Sequence, residues 1–221
     1  MTLSDHAGNS GGDPMGDRPP TSHERMSGRP WDASYHDGPA PWDTGRPQPA
    51  VAKVASRGGF NGTVLDVGCG TGENTLLVAG LGLSVLGVDV AAAALAMARK
   101  KAADRGIEAV FVPADALHLE RLGRTFDTVL DSGLFHTFDA TERPTYVASL
   151  GSVTESGATL YILCFSDDGP DTGPHPVTAQ ELRGAFGPED GWSVVALEPA
   201  RVETTFHDEG APGWFATVRR I

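Results

Sequence analysis

From residue 51 onward, short apolar runs alternate with stretches of helical periodicity. Residues 63–67 form an apolar run ending in a glycine cluster, and residues 73–81 carry apolar positions at helical spacing. A second apolar run covers 84–88. An Ala-rich stretch over 91–104 follows, with a basic end (Arg99, Lys100, Lys101) that suits a helix C-terminus. Residues 109–113 and 126–131 read as third and fourth strands, 141–154 as a helix and 159–165 as a fifth strand. Thr178 and Glu181 have the spacing of a capping box and open another helix. Residues 192–204 and 213–220 are β-rich and follow one another without an intervening helix. The alternation predicts an α/β fold with a mostly parallel sheet and helices on both faces, and the closing pair predicts an antiparallel hairpin at one edge.

The first 50 residues break this pattern. They hold half of the 16 prolines, and residues 1–27 offer almost nothing to bury. That stretch is expected to be a disordered tail, because it cannot offset its own ordering entropy. Residues 28–50 are also rich in Pro and Gly but carry Trp31, Tyr35 and Trp42. Aromatic side chains in a polar segment predict either a flap that docks over a ligand or a strap that closes the core.

Composition narrows the function. A chain of 221 residues suits one domain of ordinary size. No apolar run reaches the length of a membrane span, and no apolar leader opens the chain. The 29 acidic residues against 17 Lys and Arg give a net charge of −12, which argues against nucleic acid and anionic membranes as partners. Cys69 and Cys164 lie in apolar surroundings and are expected to be reduced thiols in a cytoplasmic protein. A small or cationic ligand fits this balance; the oligomeric state is left open.

The strongest local signal is Val64-Leu65-Asp66-Val67-Gly68-Cys69-Gly70-Thr71-Gly72-Glu73. A buried strand runs into a glycine turn and then a helix, the shape that lets a ligand approach the backbone closely. Asp89 stands 17 residues after Gly72, at the end of the second strand, where a carboxylate can hold ribose hydroxyls. In a dinucleotide fingerprint the third glycine comes one position later, where this chain has Glu73. Asp66 and Glu73 together predict a ligand with positive charge rather than a pyrophosphate. S-adenosylmethionine (SAM), with its sulfonium and ammonium, is the expected cofactor, and no metal is expected.

On these residues the chain resembles the class I, Rossmann-like SAM-dependent methyltransferases across 51–221. Leu65–Glu73 looks like their first motif and Asp89, followed by Val90, like their ribose-binding acid. Ala114-Asp115-Ala116 resembles the adenine-contacting motif, and the run from Phe126 to Asp131 and Ser132 the fourth motif. The resemblance implies a seven-stranded sheet and assigns the cofactor to Asp66, Gly68, Gly70, Gly72, Asp89, Val90, Asp115, Ala116, Asp131 and Ser132. Trp31, Tyr35 and Trp42 are similar to the aromatic cofactor segment of the thiopurine methyltransferase-like group, which includes enzymes acting on small heterocycles. Thiopurine methyltransferases carry arginine where Ser132 stands, so an ionic contact to a thiopurine is not expected.

The implied reaction is methyl transfer to N, O or S of a small aromatic or heterocyclic molecule. Tyr35, Phe135, His136, Phe138 and His175 are the expected substrate residues. His136 reads either as a general base or as a hydrogen-bonded wall of the pocket. His36 and His175 lie in two segments read as lids, the second of them spanning 166–176. A nicotinamide-dependent oxidoreductase and a non-catalytic SAM-binding protein are the competing readings.

Overall fold

The computed structural model describes residues 18–168 and 174–221. Seven strands form one sheet: β1 (Val64–Val67), β2 (Val85–Asp89), β3 (Val110–Pro113), β4 (Phe126–Ser132), β5 (Thr154–Phe165), β6 (Trp192–Thr204) and β7 (His207–Arg220). Their order is β3-β2-β1-β4-β5-β7-β6. The first five pair in parallel, and β7 runs antiparallel to both β5 and β6. This is the Rossmann-like architecture that the alternating pattern predicts, closed by the antiparallel hairpin.

Alternation along the strands distributes side chains to opposite faces of the sheet. Leu65, Val129, Leu160 and Ile162 join one cluster with residues of helices α5 (Arg143–Ser152) and α6 (Ala179–Ala185). Their neighbours Val64, Leu130 and Tyr161 join another, with residues of α2 (Pro49–Ser56) and α3 (Glu73–Gly80). Helix α4 (Ala92–Arg105) packs its alanines against Phe111 of β3 and Leu76 of α3. Because helices cover both faces of the sheet, residues on both sides of β1, β2, β4 and β5 are buried, and the apolar runs are nearly continuous.

Two boundaries differ from expectation. The fifth strand begins at Thr154 instead of 159, since the register shift between Phe126 and Thr128 of β4 accommodates its early residues. Helix α2 crosses residue 50, with Pro49 in its first turn, so the flap ends before it.

Order also begins earlier than the composition predicts. Within the stretch expected to be disordered, Ser22–Ser27 forms a short helix, α1, and residues 1–17 lie outside the described ones. The reason is polar rather than apolar. Glu24 accepts from the backbone N–H of Thr21 at 2.9 Å and of Trp31 at 3.2 Å, and from Arg18 at 2.6 Å. Glu142 accepts from the N–H of Ser22 at 2.7 Å and from its hydroxyl at 2.6 Å, anchoring α1 to the domain. Among the described residues, no helix is long and apolar enough to cross a membrane.

Candidate active site

A cavity of about 350 Å³ opens at the carboxyl ends of β1, β2, β4 and β5. In open α/β sheets this is where strand order reverses and ligands bind. One side is the glycine turn. Gly68, Gly70 and Gly72 all have positive φ (69°, 53° and 85°), but they face different neighbours. A Cβ on Gly72 would lie 2.9 Å from Ala98 and from the Phe111 ring, so this glycine lets α3 approach α4 and β3. A Cβ on Gly70 would lie 3.3 Å from the Tyr35 hydroxyl, so the flap packs directly on the turn.

The flap is an aromatic roof. Tyr35 is 5% exposed, and its hydroxyl accepts from Trp42 Nε1 at 2.9 Å. Trp31 meets Trp42 edge to face at 5.6 Å, and His23 of α1 stacks on Trp31 at 4.3 Å. Burial, followed by the nearby Asp89 charge, pushes the Tyr35 phenol up, so it stays protonated. Both roof tryptophans and Tyr35 line the cavity, as do Val90, Ala116, Ser132 and His136. The hairpin tip closes the side: Val202, Thr204 and Phe206 also line it. Gln48 fixes that tip through paired bonds of 2.9 Å with the backbone N–H and C=O of Glu203.

Asp89 sits at the turn. One carboxylate oxygen accepts from Gly70 N–H and the other from Ala91 N–H, both at 2.8 Å. Each oxygen keeps a second lone pair for a vicinal diol. Burial raises its pKa even though those N–H groups, with that of Val90, favour the anion. Asp43 faces the same turn, accepting from the Thr71 hydroxyl at 2.9 Å.

Several expected site residues lie elsewhere. Asp66 lies beneath the turn and does not line the cavity. Its Oδ2 accepts from the Thr75 hydroxyl at 2.5 Å, its Oδ1 is unpartnered, and burial raises its pKa to about 7. Glu73 lines the cavity, but its charge is engaged by cations of α4. It pairs with Arg105 at 2.8 Å and Lys101 at 2.9 Å, which overcome the effect of burial and hold its pKa below the ordinary value. Asp115 caps the 3₁₀ turn Ala116–Leu122 by accepting from Leu117 N–H at 3.0 Å; its neighbours Ala114 and Ala116 line the cavity instead. Asp131 is fully buried, accepting from Leu134 and Phe135 N–H and from the Tyr146 hydroxyl, and burial raises its pKa to about 6.

The expected substrate residues divide in the same way. Phe135 and Phe138 pack with Tyr146 in the core, because the 3₁₀ turn Phe135–Thr137 directs both rings inward. His175 backs α1, with Nε2 at 3.2 Å from the Ser22 hydroxyl. Of the segment 166–176, residues 169–173, Asp171 among them, lie outside the described residues, and Pro174 reaches the cavity. His136 does reach it, but its Nδ1 accepts from Phe165 N–H at 3.3 Å. A neutral ring in that arrangement carries its proton on Nε2 and so presents a donor. Burial lowers its pKa to about 3, which makes it a poor base. His23 and Asp43 are among the site residues that the sequence pattern does not reveal, with Phe165 and Phe206. The Thr21-to-Glu24 spacing, the same capping signal as Thr178-to-Glu181, marks the helix that carries His23.

The turn fits SAM on its own geometry. Carboxylates of Asp43 and Asp89 border it, and apolar Val90, Ala114 and Ala116 offer a slot for a flat base. Lys101, the cation behind Thr71, lies 2.9 Å from Glu73 and 3.8 Å from Asp43, so it is shared between the two carboxylates. A pyrophosphate would meet these carboxylates unfavourably; a sulfonium and ammonium would not.

Residues 64–157 match the family described as "Methyltransferase domain". A 2-heptyl-1-hydroxyquinolin-4(1H)-one methyltransferase of Mycobacteroides abscessus is 36% identical over 178 residues, covering 77% of this chain and 78% of that protein. A probable thiol methyltransferase of Arabidopsis thaliana is 29% identical over 147 residues, 65% of each chain. A solved structure described as "Conversion of a Disulfide Bond into a Thioacetal Group during Echinomycin Biosynthesis" superposes with a TM-score of 0.77 at 36% identity, over 86% of this chain and 91% of that one.

Proposed function

Because the chain belongs to the class I SAM-dependent methyltransferases, we propose that its acceptor is a small aromatic or heterocyclic molecule methylated on O, N or S. Family membership sets aside the nicotinamide-dependent reading. The observation that carries the proposal is the enclosure itself. One cavity is lined both by the glycine turn and by the aromatic side chains Trp31, His136, Phe165 and, at its exposed rim, Phe206. Such walls suit a flat apolar ring with a few polar atoms. Relatives named for a hydroxyquinolone and for thiols support the same class of acceptor.

When bound, SAM supplies an electrophilic methyl group. The chain's part is to hold and orient. Asp89 takes the ribose hydroxyls, with Val90, Ala114 and Ala116 against the base. The glycine turn, with Ser132, seats the remainder of the cofactor. Tyr35 and Trp42 cover the turn and exclude water. His136, fixed by Phe165 N–H, donates through Nε2 to an acceptor atom of the substrate ring. Holding both reactants in attack geometry is worth up to roughly 7–11 kcal/mol. Cys69 and Cys164 are buried free thiols.

Incubation with isotopically methyl-labelled SAM and a panel of hydroxyquinolones, aromatic thiols and N-heterocycles, read by mass spectrometry, tests this. The expected result is one labelled methyl group on at least one member. Cofactor binding without transfer to any member contradicts the acceptor class.

A further inference from the structure

We propose that His23, on helix α1, is a catalytic base for acceptors that must lose a proton during methylation. The role rests on the small-heterocycle reading and deepens it. Three histidines gather around the acceptor end of the site, and their ring nitrogens are not equivalent. His136 has Nδ1 occupied by Phe165 N–H and presents a donor. His175 has Nε2 against the Ser22 hydroxyl. His23 lines the cavity; its Nδ1 is sealed off without a hydrogen-bond partner, so the nitrogen left for a ligand is Nε2, which is neither sealed nor engaged by another described residue.

A buried ring nitrogen without a partner costs about 1–3 kcal/mol, and proteins keep few of them. Here the arrangement is held firmly: the ring stacks on Trp31 at 4.3 Å and an interplanar angle of 20°. Trp31 is itself fixed by its Nε1–H on the Thr21 hydroxyl at 3.3 Å and its backbone N–H on Glu24. The imidazole is therefore positioned before any ligand arrives.

The surrounding charges suit a base. Burial lowers the His23 pKa, so the ring is neutral near pH 7 and has a lone pair to offer. Glu24, on the same helix, favours the cation formed when a proton arrives. His175, from the segment after β5, opposes it. His136, from the turn after β4, faces His23 as well but is itself held neutral by burial.

In the step, an acceptor O–H or N–H gives its proton to Nε2 of the His23 imidazole, whose own ring proton sits on Nδ1. The electron pair left on the acceptor forms the bond to the methyl carbon. The pair of the broken carbon–sulfur bond ends on sulfur, and the imidazolium later returns its proton to water. With His136 donating beside it, the pair selects a heterocycle that has a proton to lose next to an acceptor atom.

His23→Gln and His23→Ala, made in the full chain, test the role with two acceptors: 2-heptyl-1-hydroxyquinolin-4(1H)-one and an aromatic thiol already ionised at the assay pH. The expected loss in kcat with the hydroxyquinolone is roughly 100-fold or more. The loss with the thiol is at least tenfold smaller, and the affinity for S-adenosylhomocysteine changes less than threefold. The wild-type kcat rises with pH through a value below the ordinary histidine range, and that limb is missing in both variants. In protein labelled with ¹⁵N-histidine and saturated with S-adenosylhomocysteine, the hydroxyquinolone shifts a ring-nitrogen resonance that His23→Gln lacks. Equal losses with both acceptors, or a retained pH limb, overturn the role and leave His23 as packing. Failure of the wild-type protein to methylate either acceptor overturns the acceptor reading and the base with it.

Discussion

Asp66 shows how burial decides what a carboxylate does. In the unfolded chain it titrates near about 3.9, whereas in the fold burial raises it to about 7. Between those values the folded protein keeps the proton and the unfolded chain loses it. Stability from this group therefore falls as pH rises from about 4 to about 7, and the penalty is complete above that. Asp66→Asn removes the titration. Its thermal midpoint should gain on the wild type as pH rises from 5 to 8, and a difference independent of pH would contradict the assignment. Glu73 and Asp89 separate in the same spirit. Glu73→Gln breaks a partly exposed ion-pair cluster, costs about 1 kcal/mol of stability and leaves the affinity for S-adenosylhomocysteine within about twofold. Asp89→Ala removes charge-assisted bonds and should weaken that affinity by about 2 kcal/mol. Calorimetry on both variants checks the contrast, and equal losses of affinity would contradict it. Sequence reasoning groups these acids because they share a motif. What separates them is the cations brought from α4, and Lys101 and Arg105 stand about 30 residues away from Glu73.

At the scale of elements, the parallel sheet was legible because its strands are short apolar runs punctuated by glycine and closed by helices. The glycine turn was legible for the same reason, and with it Gly70, Asp89 and Val90. Helix α1 was not, because nothing apolar announces it and its attachment is made of Glu24 and Glu142. Phe135 and Phe138 were misread because a 3₁₀ turn, not a strand, sets their direction. The two bonds from Ser22 to Glu142, at 2.7 and 2.6 Å, predict how α1 behaves. Glu142→Ala should free α1 and lower kcat/KM for the acceptor by about tenfold, the equivalent of the roughly 1.5 kcal/mol that a charged hydrogen bond contributes. Limited proteolysis should then cut near residues 18–30 faster than in the wild type. Unchanged cleavage and kinetics would show that α1 is held by something else.

At the scale of the molecule, three separate parts of the chain build one enclosure: α1 with the aromatic flap, the turns after the strands, and the tip of the β6–β7 hairpin. The flap and hairpin are tied together through Gln48 and through Thr205 N–H on Pro41 C=O at 2.8 Å. The chain carries a net charge of −12, and among the charged residues lining the site, Asp43 and Asp89 hydrogen-bond the glycine turn directly. On the proposed reading, cofactor and acceptor are neighbours in one space and not rivals for it. The most direct measurement is a calorimetric titration of a turned-over heterocycle into the protein, with and without saturating S-adenosylhomocysteine. The account predicts simultaneous binding, with the heterocycle held at least as tightly when S-adenosylhomocysteine is present. Mutual displacement of the two ligands would contradict it.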